Sequence, residues 1–225
     1  MRQLVVLLAF ALGACSAQPA PLASESAAAA SIPVLANAPV ILAFGDSLYA
    51  GYQLDPGLGY PPRLEAALNQ AGVPARLVNA GVSGDTTAAA RARLAFTLDN
   101  QPVKPALVMV GLGGNDMLRG LAVAETRANL DAILTELDRR QIPAMLTGML
   151  AAPNMGADYA KAFNGIYPDL AKKHHAALVP FFLSAVIGRD ALMLEDRIHP
   201  NAQGIEKIVA ATQAEVAKAL KAAQR

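Results

Sequence analysis

Short apolar runs alternate along the chain with longer segments in which apolar residues recur every three or four positions. Short continuous runs are typical of buried strands, and the longer spacing is typical of helices. The runs predict strands over residues 40–44, 75–79, 106–111, 144–149 and 177–180. The longer spacing predicts helices over residues 61–71, 86–98, 123–140, 158–174 with a bend at Pro168, and 201–219.

Strands of this length that alternate with helices indicate a parallel sheet covered on both faces. Crossovers between parallel strands are right-handed, so we expect a three-layer α/β/α sandwich with a central five-stranded parallel sheet. Folds of this class place ligands at the carboxyl ends of the strands. Functional motifs should therefore follow the strands directly.

The N-terminus has the pattern of an export signal. Arg2 precedes an apolar run, Leu4–Leu12, which is shorter than the roughly 20 residues that a membrane-spanning helix requires. The run leads to Cys15, the only cysteine of the chain, in a context similar to a bacterial lipobox. We therefore predict a signal peptide over residues 1–15 and lipidation of Cys15. Cleavage nearby, which would release a free periplasmic protein, is the alternative.

Composition divides the remaining chain into a tether and one domain. Residues 16–38 are rich in Ala, Pro and Ser and lack hydrophobic periodicity, which indicates a flexible tether. Residues 39–225 have the length of a single domain. The 19 Lys and Arg residues nearly balance the 18 Asp and Glu residues, so we expect no nucleic-acid partner. With one cysteine, no intramolecular disulfide can form.

Several polar motifs stand where the fold predicts a site. Ser47 follows the first strand, and Gly84 and Asn115 follow the next two. Asp196 and His199 precede the last helix. Ester hydrolysis by a serine requires a base to activate the hydroxyl, a carboxylate to orient that base, and donors for the oxyanion. These residues provide each of those groups.

Other interpretations of the same residues remain possible. Asp196 and His199 could be a pair of metal ligands, although a metal site needs a third and usually a fourth ligand. His174 and His175 lie near the end of a predicted helix, where cations are favourable, so we assign them a structural role. We therefore expect neither a metal nor a cofactor.

The motifs together resemble the SGNH (GDSL) hydrolase family, whose fold is flavodoxin-like. The similarity lies in Gly-Asp-Ser-Leu at 45–48, Ser-Gly-Asp-Thr at 83–86, Gly-Gly-Asn-Asp at 113–116 and Asp-x-x-His-Pro at 196–200. Further similarity points to the bacterial periplasmic thioesterase, lysophospholipase and arylesterase group. The resemblance implies that Ser47, Asp196 and His199 are catalytic, and that Ser47, Gly84 and Asn115 form the oxyanion hole.

From this resemblance we expect a serine hydrolase that cleaves carboxylic esters through an acyl-enzyme intermediate. Its expected substrates are small acyl esters or thioesters, including aryl esters and lysophospholipids. A carbohydrate O-deacetylase on the same scaffold and a non-catalytic lipid- or glycan-binding lipoprotein are the alternatives. We expect a monomer, exported to the periplasm or attached to the outer membrane through Cys15.

Overall fold

The computed structural model describes residues 37–225, so the predicted signal peptide, Cys15 and nearly all of the predicted tether lie outside the described residues. A five-stranded sheet forms the centre of the fold, and its strands are β1 (Val40–Gly45), β2 (Arg76–Gly81), β3 (Leu107–Gly111), β4 (Ala144–Thr147) and β5 (Ala177–Val179). All neighbouring strands are parallel, in the order β2-β1-β3-β4-β5. The predicted five-stranded parallel sheet is therefore confirmed.

Helices surround this sheet. In the part of the chain that the structure describes they are α1 (Ser47–Ala50), α2 (Tyr60–Gln70), α3 (Thr87–Asp99), α4 (Gly114–Leu118), α5 (Val123–Arg139), α6 (Ala157–Asn164), α7 (Ile166–Lys173) and α8 (Ala202–Ala223). Helix α2 packs against α8, and α3 packs against α5. Right-handed crossovers place these pairs on opposite faces of the sheet, which gives the predicted three layers. No helix within residues 37–225 is both long and apolar enough to cross a membrane.

The predicted helix over residues 158–174 is wrong as a single element. Two helices, α6 and α7, occupy this segment and meet at Gly165. Pro168, the third residue of α7, has no N–H to donate to the carbonyl oxygen of Asn164, the last residue of α6. The interruption therefore lies about one turn before Pro168 rather than at it.

Glycines at the strand ends allow α1 to lie close to the sheet. A Cβ atom on Gly45 or Gly111 would stand 2.7 or 2.6 Å from the ring of Tyr49, which is fully buried. The Tyr49 hydroxyl lies 2.8 Å from Oγ1 of Thr147 at the end of β4. Because Tyr49 fixes α1 above the ends of β1, β3 and β4, Ser47 is placed at the carboxyl edge of the sheet.

Candidate active site

Three predicted site residues form one continuous hydrogen-bonded chain. Ser47 is the first residue of α1, and its Oγ lies 2.7 Å from Nε2 of His199. On the other side of the ring, Nδ1 of His199 lies 2.6 Å from Oδ2 of Asp196. This arrangement orients the imidazole so that Nε2 can accept the serine proton while the carboxylate holds the opposite nitrogen.

The Asp196 carboxylate is held by its own loop. Its Oδ1 accepts hydrogen bonds from the backbone N–H groups of Ile198 (2.9 Å) and His199 (3.0 Å). Arg197, between Asp196 and Ile198, has φ +56°, which turns the chain back toward the carboxylate. Partial burial raises the pKa of Asp196, but the hydrogen bonds from His199 and Ile198 outweigh it and hold that pKa below its usual value. Asp196 therefore stays ionised.

The segment that follows β3 contacts the loop that follows β2. Nδ2 of Asn115 donates to the carbonyl oxygen of Asp85 (2.9 Å) and lies 3.4 Å from Oδ2 of Asp46. Nη2 of Arg119 donates to the carbonyl oxygen of Gly84 (2.8 Å). Gly84 has φ +85°, a conformation that glycine adopts at little cost. The two predicted oxyanion donors, Gly84 and Asn115, are thus joined through a network that also reaches the neighbour of Ser47.

Asp46 is a buried carboxyl group directly beside Ser47. Its Oδ1 accepts the N–H of Leu48 (3.0 Å) and so caps α1. Burial is the main reason that the pKa of Asp46 is raised to about 7, and the nearby carboxylates of Asp85 and Asp116 add to that effect. Around neutral pH, Asp46 is therefore divided between its charged and neutral forms.

Asp116 has a structural position close to Asn115. Its carboxylate is almost fully buried and accepts the backbone N–H (2.9 Å) and the hydroxyl (2.5 Å) of Thr87 at the start of α3. The Thr126 hydroxyl of α5 lies 3.3 Å from the same carboxylate. Asp116 thus ties α4 to the two helices on one face of the sheet.

The other histidines lie away from this site. His174 follows α7, and its ring lies between two carboxylates of α5, with Nδ1 2.5 Å from Asp138 and Nε2 2.6 Å from Asp131. His175 is exposed. Both lie just before β5, at the amino ends of the parallel strands, whereas Ser47 lies at their carboxyl ends. Within residues 37–225, no group of three or more His, Cys, Asp or Glu residues is arranged to hold a metal ion.

The structure adds one residue to the site that the sequence did not single out for a role. The ring of Tyr52 packs against the ring of His199, with centroids 4.5 Å apart and planes inclined by 37°. Tyr52 lies just after α1, five residues beyond Ser47. A single exposed tyrosine after a helix carries no sequence signal for such a contact, because the contact joins segments almost 150 residues apart.

Known proteins are similar to this chain in sequence and fold. The sequence model of the GDSL-like lipase/acylhydrolase family matches residues 43–207. Esterase TesA of Pseudomonas aeruginosa is 41% identical over 165 residues, which cover 73% of this chain and 81% of that protein. The thioesterase 1/protease 1/lysophospholipase L1 of Escherichia coli (strain K12) is 37% identical over 166 residues, which cover 74% of this chain and 77% of that protein.

A solved structure gives the same result. The crystal structure of AlinE4, an SGNH-hydrolase family esterase, superposes with a TM-score of 0.71 at 58% identity and covers 82% of this chain and 98% of its own. The matched family region contains Ser47, Gly84, Asn115, Asp196 and His199. The chain belongs to the GDSL-like lipase/acylhydrolase (SGNH) family and is a serine-dependent carboxylic ester hydrolase.

Proposed function

We propose that Ser47 is the nucleophile, His199 the general base and Asp196 the residue that orients the base. The observation that carries this proposal is the unbroken contact from Ser47 Oγ through the His199 ring to Asp196. His199 takes the serine proton as Oγ attacks the acyl carbon, and it then returns the proton to the leaving group. Water attacks the acyl-enzyme in the second step, with His199 again as the base.

The oxyanion donors in this proposal are the backbone N–H groups of Ser47 and Gly84 and the side-chain amide of Asn115. As the first residue of α1, Ser47 has an N–H without an acceptor in its helix. The amide nitrogen of Asn115 has two hydrogens, and its contact to Asp46 is long at 3.4 Å. We infer that the oxyanion replaces this long contact while the shorter bond to Asp85 keeps the amide in place.

Two solved relatives support the assignment of the serine and the aspartate. These structures are alanine variants of the esterase AlinE4, one at a serine and one at an aspartate. The two substituted positions lie 149 residues apart in that chain, which is also the separation between Ser47 and Asp196. At 58% identity few insertions are expected between the two chains. The equal spacing therefore supports the correspondence of the two substituted residues with Ser47 and Asp196.

The proposed substrates are small acyl esters and thioesters, including aryl esters and lysophospholipids. The names of the relatives, an esterase, an arylesterase and a thioesterase/lysophospholipase, support this range.

We further propose that the enzyme is an exported monomer that acts in the periplasm, attached to the outer membrane through a lipidated Cys15. The sequence of the first 15 residues supports that location.

Hydrolysis of p-nitrophenyl esters from acetate to palmitate tests the proposal. Wild type is compared with Ser47→Ala and His199→Ala, each of which should lower kcat by at least about 10³-fold. Ser184→Ala and His175→Asn serve as matched controls, since both residues are exposed. His175 has φ +51°, a conformation that asparagine tolerates.

The control variants should keep the wild-type rate. A Ser47→Ala variant that retains its rate would overturn the assignment of the nucleophile. The chain-length profile of the wild type separates the remaining alternatives, because a deacetylase would accept acetate and reject the longer esters. A comparison of p-nitrophenyl esters with acyl thioesters of equal chain length then gives the preference for oxygen or sulfur leaving groups.

A further inference from the structure

Tyr52 covers one face of the imidazole that the proposed mechanism uses as its base. The two ring nitrogens of His199 are engaged by Ser47 and Asp196, at 2.7 and 2.6 Å. The ring of Tyr52 lies 4.5 Å from the imidazole, centroid to centroid. Both edges that carry nitrogen and one face of His199 are therefore occupied in the resting enzyme.

The position of Tyr52 is fixed by the segment that carries Ser47. The backbone N–H of Tyr52 donates to the carbonyl oxygen of Ser47 (3.2 Å). The next residue, Gln53, has φ +54°, and its side-chain amide donates to the Tyr52 hydroxyl (3.2 Å). One short backbone segment therefore places both the nucleophile and the ring that lies against His199.

The reaction changes the charge of the ring that Tyr52 contacts. When His199 takes the proton of Ser47, the imidazole becomes a cation. The face of an aromatic ring attracts a cation that lies within about 6 Å of its centroid. The contact with Tyr52 is therefore stronger in the transition state than in the ground state, which is the condition for an effect on kcat.

We propose that Tyr52 is a positioning residue for His199 that also stabilises its protonated form during catalysis. This inference rests on the proposed role of His199 as general base. The groups that face the imidazole are Ser47 from α1, Asp196 from its own loop and Tyr52. The neighbouring Arg197 is directed to Asp190 (3.4 Å), so its charge has a partner of its own.

Three variants separate the ring from the hydroxyl of Tyr52. Tyr52→Phe keeps the aromatic face, whereas Tyr52→Leu and Tyr52→Met remove it and keep apolar bulk. Tyr52 is 38% exposed, so we expect all three proteins to fold, and a thermal unfolding midpoint checks this. The measurement is kcat and KM for p-nitrophenyl butyrate, together with the pH profile of kcat/KM.

The Phe variant should retain kcat within about twofold. The Leu and Met variants should lose about 3- to 30-fold in kcat, which is the loss expected when one cation–π contact is removed. Their KM should change little. Their acidic midpoint in the kcat/KM profile should move to lower pH, by about 0.5 to 1 unit, because the imidazolium loses stabilisation. A ring that only fills space would leave this midpoint unchanged.

Two results would overturn the inference. One is a Leu variant with an unchanged acidic midpoint, whatever its kcat, and the other is a Phe variant as impaired as the Leu variant. Ser47→Ala and His199→Ala, measured in parallel, keep the two proposals separate. If these two variants lose activity and Tyr52→Leu does not, only the role of Tyr52 is wrong. If Ser47→Ala stays active, the proposed mechanism itself is wrong.

Discussion

Asn115 and Arg119, one helical turn apart, donate to the carbonyl oxygens of two successive residues in the loop after β2. Asn115 contacts the oxygen of Asp85 at 2.9 Å, and Arg119 contacts the oxygen of Gly84 at 2.8 Å. Residues four apart on a helix share one face, which allows both side chains to reach the same loop. The loop that supplies one proposed oxyanion donor is thus held by the segment that supplies another.

Removal of the Arg119 contact should slow catalysis without preventing folding. We expect Arg119→Ala to lower kcat by about 3- to 10-fold, because one charge-assisted hydrogen bond that holds Gly84 is lost. Steady-state kinetics and a thermal melt measure the two effects. Arg127→Ala is the matched control, since Arg127 forms a surface ion pair with Asp169 on another helix. Equal kinetics for both variants would argue against a role of Arg119 at the site.

Substitution of Asp196 tests the orientation of the base. In Asp196→Asn the amide cannot stabilise the imidazolium and favours the wrong tautomer, so kcat should fall by about 10² to 10⁴-fold. The backbone N–H groups of Ile198 and His199 can still donate to the amide oxygen, so the loop should keep its shape. Comparison of kcat and melting temperature with the wild type checks both statements. A modest loss, less than about tenfold, would contradict the assigned role.

The buried carboxyl of Asp46 should make folding stability depend on pH. Its pKa is about 7 in the folded protein and near 3.8 when exposed, so the folded state holds the proton more firmly. The contribution of protonated Asp46 to the free energy of unfolding is fully present below the unfolded pKa and is lost as the pH rises toward 7. Relative to Asp46→Asn, the wild type should lose up to about 4 kcal/mol between pH 4 and pH 8.

Urea unfolding of both proteins at several pH values measures this difference. The other titrating groups are common to both proteins and largely cancel in the comparison. A constant difference in the free energy of unfolding across this range would show that Asp46 is ionised in the folded protein throughout.

His174 contributes to the contact between α5 and α7. Its ring is nearly buried, and each nitrogen faces a carboxylate, Asp131 or Asp138. We expect His174→Ala to lower the free energy of unfolding by about 1–3 kcal/mol, because both hydrogen bonds of the ring are lost. It should leave kcat unchanged, because the ring lies near the amino ends of the strands and Ser47 lies at their carboxyl ends. His175→Asn provides the neighbouring control. A drop in kcat with unchanged stability would contradict this assignment.

The sequence was sufficient to predict the strands whose carboxyl ends position the site. A short continuous apolar run is a local feature of the sequence, and the predicted strands begin and end within two residues of the observed ones. The short helices α1 and α4 escaped prediction because four or five residues are too few to show a helical period. The break at Gly165 escaped because the apolar spacing continues through it.

The side-chain contacts of the site were harder to predict from the sequence. Motifs singled out Ser47 and His199 as a pair, since each residue type has a chemical reason to occur with the other. The Tyr52 contact with His199 and the Arg119 contact with Gly84 depend on how loops from different strands meet. That arrangement follows from the packing of α1 and α4 on the sheet rather than from any local pattern.

Covalent trapping of the nucleophile tests the central claim most directly. The full-length protein is treated with a p-nitrophenyl alkylphosphonate, and intact mass and peptide mapping by mass spectrometry locate the adduct. The account predicts a single phosphonyl group on Ser47, complete loss of ester hydrolysis on its formation, and no adduct in Ser47→Ala. An adduct on another residue, or equal labelling of Ser47→Ala, would contradict the assignment of Ser47 as the nucleophile.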